Sequence, residues 1–221
     1  MSVFDHAEFD NHESLHYFFD EKTGLRAIIA VHSTALGPAA GGTRRWVYAS
    51  DADALTDVLR LSRGMTYKNA VAGLKFGGGK AVILASADTP KSPELFKAYG
   101  RCVNELSGRY VTAEDVGCSV DDMRYVGEET RYVSGLPQSG SDAGGDPSPW
   151  TALGCIQGIE AAVHSRLGAD SLQGVRIAVQ GVGDAGIGLA GQDHGKLDQV
   201  AGQGIAADVD LIAAGVVSVV A

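Results

Sequence analysis

Lys68 and Lys80 stand twelve residues apart, and the stretch between them closes on three consecutive glycines, Gly77-Gly78-Gly79, directly before Lys80. Glycine is entropically costly in regular structure and suits places where backbone must come close to something else. That triplet constrains the chain more than any other feature. It reads as a turn with almost no side-chain bulk, against which a small acidic ligand lies while the two ammonium groups reach it. The preceding run predicts how Lys68 is delivered. Ser50-Asp51-Ala52-Asp53 resembles a capping box, and Leu55, Val58, Leu59, Ser62 and Met65 recur at helical spacing. An amphipathic helix therefore runs towards Lys68, and Lys80-Ala81-Val82-Ile83-Leu84 begins a short apolar strand on the far side of the glycines.

The surrounding chain has the alternation of an α/β protein. His16–Phe19 and Leu25–Val31 are β-prone runs joined by Asp20-Glu21-Lys22-Thr23-Gly24, a hairpin connection. Ser92-Pro93 opens a helix to about Leu106, and Tyr110–Ala113 is a strand that ends at Glu114-Asp115. Residues 136–148, rich in Gly, Ser, Asp and Pro, are expected to form a hinge between a first domain (1–135) and a second domain (149–221). In the latter, Ala152, Ile156, Ile159, Val163 and Leu167 form a helical stripe ended by Gly168. The strand Val175–Gln180 then runs straight into Gly181-Val182-Gly183-Asp184-Ala185-Gly186. A strand followed by G-x-G-x-x-G is the setting in which a helix N-terminus binds pyrophosphate. No aromatic residue follows Trp150, and Asp208–Ala221 contains β-branched runs able to pair as strands.

Composition excludes several classes of partner. A formal charge of −9 over 221 residues argues against a nucleic-acid surface and favours a small molecule. Cys102, Cys118 and Cys155 are odd in number and widely spaced, which suits small hydrophobes in a reducing compartment. With no leader-like N-terminus and no apolar run of membrane-spanning length, the expected location is cytoplasmic, with no membrane partner. His32, His164 and His194 have no metal-ligand spacing, so no metal is assigned.

A lysine working as acid or base near neutrality needs its pKa brought down, by burial and by a second cation. Lys80, with Lys68 as that cation, fits this role; the competing reading is a solvated lysine at a strand start. Lys68 suits a substrate carboxylate, helped by the backbone N–H groups of Gly41 and Gly42, and competes with a plain helix-end lysine favoured by the dipole. Asp115, at a strand end, is placed for proton transfer or else caps a turn. Arg44 and Arg45 are expected in structural ion pairs.

These residues carry a resemblance. Gly37-Pro38-Ala39-Ala40-Gly41-Gly42-Thr43-Arg44, Gly64-Met65-Thr66-Tyr67-Lys68-Asn69-Ala70, Gly77-Gly78-Gly79-Lys80, Thr112-Ala113-Glu114-Asp115-Val116-Gly117, Pro147-Ser148-Pro149 with Thr151-Ala152, and Gln180-Gly181-Val182-Gly183 follow one another as in the glutamate/leucine/phenylalanine/valine dehydrogenases. Within that family the chain is most similar to the leucine dehydrogenases, over about residues 12 to 186. The resemblance implies an N-terminal α/β substrate and oligomerisation domain followed by a partial Rossmann-like dinucleotide domain. It also implies a homo-oligomer that reversibly deaminates an L-amino acid to a 2-oxo acid and ammonia, with hydride passing to NAD. Lys68 would hold the substrate carboxylate, Lys80 with a water would be the general acid/base, and Asp115 would assist proton transfer. Thr151, Gly181, Gly183, Asp184 and Gly186 would bind NAD. Ala40 and Ala113 offer an apolar pocket for branched aliphatic side chains. One departure stands against the family pattern: about eighteen residues past Gly186 the chain reaches Gly204 rather than an acid for the ribose. The alternative is thus a non-catalytic homologue keeping an amino-acid-binding or oligomerisation module.

Overall fold

A computed structural model describes residues 2–137, 144–180 and 216–220. The chain divides into two units, Met1–Gly145 and Asp146–Ala221. The first carries β1 (Ser14–Asp20), β2 (Leu25–Ser33), β3 (Ala39–Trp46), α1 (Asp51–Val71), β4 (Gly77–Leu84), α2 (Pro93–Glu105), β5 (Tyr110–Glu114) and α3 (Val120–Gly127). Its sheet has the order β1-β2-β4-β3-β5. The β1–β2 and β2–β4 pairs are antiparallel, while β3 lies parallel to both β4 and β5. The architecture is mixed α/β, as the alternation of patterns predicts.

The sheet is buried on both faces, and the pleat explains how. On β2, Ile28 and Ala30 join Val82 of β4 and Ala54 and Val58 of α1 in one apolar cluster. Their neighbours Ala27, Ile29 and Val31 point the other way, packing with Ala81 and Ile83 against Leu95, Phe96, Tyr99 and Val103 of α2 and Met123 and Val126 of α3. Alternate residues of one strand serve two cores because successive Cβ atoms leave opposite faces. A central strand covered on both sides loses the polar alternation of a one-sided sheet and reads as a continuous apolar run, as Leu25–Val31 does.

The helix starts follow their sequence signals. The Ser50 hydroxyl accepts from the Asp53 N–H at 3.1 Å, and that of Ser92 accepts from Leu95 N–H at 3.1 Å ahead of Pro93. Sequence reasoning missed α3, although Ser119 and Asp122 make a reciprocal capping box there. It also missed β3. The run Ala-Ala-Gly-Gly-Thr-Arg-Arg has poor intrinsic strand preference and reads as a ligand loop, but two flanking strands impose the extended state.

The glycine triplet is corrected in kind. Gly77–Gly79 are the first residues of β4, in the middle of the sheet, and not a turn before it. A Cβ on Gly78 would overlap the Thr66 backbone and hydroxyl, and one on Gly79 would strike the Tyr110 ring. The missing side chains let α1 and β5 close onto the strand. Asn69 secures the arrangement by donating from Nδ2 to the Gly77 carbonyl at 2.6 Å, so the last turn of α1 is tied to the first residue of β4.

In the second unit, α4 (Ser148–Leu167) is followed by β6 (Arg176–Gln180), which pairs antiparallel with β7 (Val216–Val220). The predicted strand in 208–221 is thus present in part. Ile156, Ile159, Val163, Leu172 and Ile177 form its cluster, and Ala152 is buried, whereas Leu167, expected in the stripe, is 45% exposed. Gly168 ends the helix at φ 65°, a left-handed conformation that glycine adopts without steric cost. The three cysteines are free thiols, with Cys102 buried and the other two partly so.

Gly78→Ala is expected to cost about 1–3 kcal/mol, the usual penalty for forcing a methyl into a filled space. Denaturant unfolding followed at Trp46, in a Trp150→Phe background, measures it; an unchanged midpoint would show that α1 can move away freely.

Candidate active site

The predicted catalytic residues meet on the α1 face of the sheet. Lys80, on the central strand β4, is 6% exposed, and its Nζ lies 2.7 Å from Oδ2 of Asp115, just beyond the end of β5. Burial pushes the Lys80 ammonium below its ordinary pKa; Asp115 opposes this, and the Arg44 and Lys68 charges reinforce it. For Asp115 burial works upward, but the Lys80 ammonium and the Arg44 guanidinium outweigh it and hold the carboxyl below its usual value. The sequence-based expectation for Lys80 named burial and Lys68; the structure adds Arg44.

Arg44 is the residue whose importance the sequence concealed. It is 8% exposed, and its Nη1 donates to both Asp57 oxygens, at 3.1 and 2.9 Å. Its Nε lies 3.5 Å from Asp115 Oδ2. Asp57, from α1, also accepts from the Tyr48 hydroxyl at 2.6 Å. Arg44 thus forms its expected ion pairs, but with the catalytic candidate itself on one side. Among the described residues Arg45 pairs with no acid, and its Nη2 donates to the Thr89 carbonyl at 2.5 Å. The signal for Asp57 was its place beside Val58 on the buried face of α1, an unusual position for an unpaired acid.

Lys68 stands exposed in the last turn of α1, near enough to Lys80 to act on its charge. Gly41 and Gly42 are residues of β3, opposite Thr112 and Ala113 of β5. On the other side the β3–β4 ladder is interrupted, with Ala40↔Gly78 followed by Thr43↔Ala81. Ladder bonding occupies strand amides, so any donor these glycines offer a ligand comes from the interruption. Ala40 and Ala113 are half-buried on β3 and β5. Behind them Thr43, Tyr99 and Thr112 hydroxyls interlock within 2.5 to 3.2 Å, and the Tyr110 hydroxyl donates to the Gly41 carbonyl at 2.6 Å. Those bonds fix the strands on which the site is built.

Thr151 lies exposed in the first turn of α4, its hydroxyl donating to the Pro147 carbonyl at 3.1 Å. The other predicted cofactor residues, Gly181, Gly183, Asp184 and Gly186, lie outside the described residues, as does His194. Among the described residues, no cluster of His, Cys, Asp and Glu is arranged to hold a metal ion, and no helix is long and apolar enough to cross a membrane.

Comparison with known proteins identifies the class. The family described as Glu/Leu/Phe/Val dehydrogenase, dimerisation domain, matches residues 12–132, which hold Lys68, Lys80 and Asp115. The leucine dehydrogenase of Bacillus subtilis (strain 168) is 50% identical over 195 residues, 88% of this chain and 53% of that protein. The valine dehydrogenase of Streptomyces virginiae is 50% identical over 182 residues, 82% of this chain and 50% of the relative. The crystal structure of L-tryptophan dehydrogenase from Nostoc punctiforme superposes with a TM-score of 0.62 at 44% identity, over 81% of this chain and 50% of that one. The chain belongs to the Glu/Leu/Phe/Val dehydrogenase family. It spans about half the length of the curated relatives it matches.

Asp115→Asn removes the charge that holds a proton on Lys80, so the Lys80 titration midpoint is expected to fall further; ¹³Cε-lysine NMR of the folded variant reads it directly. The same carboxylate titrates below its ordinary 3.8 in the folded chain. Its contribution to stability is therefore complete above about pH 4 and lost as pH falls through the folded value. An acid-unfolding curve identical in parent and variant would count against the ion pair.

Proposed function

We propose that this chain serves the reversible NAD-dependent oxidative deamination of a branched-chain L-amino acid to its 2-oxo acid and ammonia. The observation that carries this reading is the buried Lys80–Asp115 pair, 2.7 Å apart, on the same face as the exposed Lys68. Membership of a family whose relatives include leucine and valine dehydrogenases supports the reaction class and the aliphatic substrate.

In this reading Lys68 binds the substrate carboxylate, a compact three-donor charge at the rim of the site. Amides of Gly41 and Gly42 add donors where the β3–β4 ladder is interrupted. Lys80, when neutral, takes a proton through a water, and Asp115 shares the proton and holds the lysine in place. Bound NAD supplies the hydride acceptor. With the α-amine first deprotonated and the cofactor as acceptor of the α-hydrogen, Lys80 would draw a proton from the water that adds to the α-carbon and return one to the departing nitrogen, so that ammonia and the 2-oxo acid result. A lysine below its ordinary pKa gives up its proton more readily than a solvated one, which suits a group that acts as base and acid in turn.

Ala40 and Ala113, small and half-buried, leave room for a branched side chain. Apolar pockets distinguish neighbouring homologues by only about 10 to 200-fold per methylene, so leucine, valine and isoleucine would all be used. For the cofactor, β6 ends at Gln180, the residue before the Gly181-x-Gly183-x-x-Gly186 run, which provides the strand-first context a dinucleotide fingerprint requires. Its partner β7 is antiparallel, whereas strands around a dinucleotide crevice are mostly parallel. Gly181, Gly183, Asp184 and Gly186, with Thr151, are the residues proposed to hold NAD. The domain reading is likewise carried forward as a proposal: substrate binding and homo-oligomerisation in 1–135, a hinge at 136–148, and NAD binding in 149–221. The working location is the cytoplasm.

Absorbance of reduced cofactor in mixtures of the chain, NAD and each branched-chain amino acid tests the proposal; a folded protein with no turnover would sink it. Lys80→Ala is expected to lower kcat by about 10²- to 10⁴-fold with substrate binding retained. Lys68→Ala is expected chiefly to raise KM. Equal losses in both parameters for each variant would show that the roles are not divided this way.

A further inference from the structure

The Asp115 carboxylate faces a problem of charge that Lys80 alone does not solve. It is largely enclosed, and a buried carboxylate left without a cation is strongly unfavourable. Lys80 satisfies it only while protonated. Whenever the lysine acts as a base, its charge vanishes and the carboxylate beside it must find another counter-ion or take up a proton itself. Arginine does not deprotonate in proteins and is therefore a permanent cation.

We propose, as an extension that rests on the acid–base reading above, that Arg44 is the positioning residue of this site: anchored by Asp57, it is the standing counter-ion that keeps Asp115 ionised and in place when Lys80 gives up its proton. The geometry is suited to that task. Nη1 of the guanidinium donates to both Asp57 oxygens, which holds the side chain from α1, and the Tyr48 hydroxyl steadies Asp57 in turn at 2.6 Å. The buried Nε–H has no hydrogen-bond acceptor among the described residues, and Asp115 Oδ2 stands 3.5 Å from it. That donor is open to engage the same oxygen that Lys80 now contacts at 2.7 Å. A small shift of the carboxylate from the ammonium to this N–H would complete the exchange. Among the described residues, the charged groups acting on Lys80 are Asp115 at the end of β5, Arg44 on β3 and Lys68 on α1, with Asp57 of α1 paired to Arg44 and Tyr48 kept neutral by burial and by Asp57. Among the described residues, these three cations against two carboxylates leave one positive charge in excess, ready for a substrate carboxylate.

The test is the titration of Lys80 in the full chain by ¹³Cε-lysine NMR, with neither substrate nor cofactor present. Arg44→Met makes Lys80 the only counter-ion of Asp115, so its proton becomes harder to remove and the midpoint is expected to rise by about one pH unit or more. Arg44→Lys keeps the charge and should bring the midpoint most of the way back. Asp57→Asn frees the full charge of Arg44 and should move the midpoint downward, opposite to Arg44→Met. An unmoved Lys80 midpoint in a folded Arg44→Met protein overturns the proposal; should that variant fail to fold, a midpoint that stays or rises in Asp57→Asn overturns it instead. Because no turnover is measured, failure of the dehydrogenase reading would appear separately, as an inactive parent protein whose Lys80 still titrates as described.

Discussion

The close approach of α1 to β4 is the constraint from which the rest of the site follows. Helix and sheet normally stand apart by the depth of their side chains; here Gly78 has none, and Thr66 occupies the space a Cβ would need. Asn69 then ties the helix end to Gly77. The result is that the last turn of α1, bearing Lys68, lies over the strand that bears Lys80. The charge of Lys68 thereby acts on Lys80, twelve residues further along the chain. Burial and the neighbouring cations both act against a charged Lys80, and the Asp115 carboxylate opposes them.

The charged cluster is stabilised by what lies on both sides of it. On the α1 face, Ile28, Ala30, Ala54, Val58 and Val82 exclude water from the neighbourhood of Arg44 and Lys80, which strengthens each remaining electrostatic contact. On the opposite face, the hydroxyls of Thr43, Tyr99 and Thr112 and the Tyr110–Gly41 bond lock β3 to β5. That lock sets the spacing between Arg44 on β3 and Asp115 after β5. The site is therefore a property of strand register: a slip of one residue would send Lys80 to the α2 face and bring Ala81 to the acids.

Much of the scaffold was legible beforehand because local signals and tertiary demands agreed. The Ser50 and Ser92 caps, the β1–β2 hairpin and the 3.6-residue stripe of α1 each specify an element without reference to the rest. β3 was hidden because its two glycines and two arginines suit a strand only once partners lie on both sides. α3 was overlooked despite its capping box, since eight residues offer too short a stretch for periodicity to register.

The sequence by itself determined the residue types for the proposed chemistry: a lysine after three glycines, a second lysine at a helix end, an acid at a strand end, and motifs whose order matches one family. It could do so because those features are local and survive reading in one dimension. Tertiary structure alone decided what the glycines were for, turning an imagined ligand turn into a packing contact between helix and strand. It alone also brought Arg44, Asp57 and Tyr48 to the Lys80–Asp115 pair. The reason is physical: which charge neutralises which depends on distances of a few ångströms across separate elements, and nothing in the linear order of the chain encodes them.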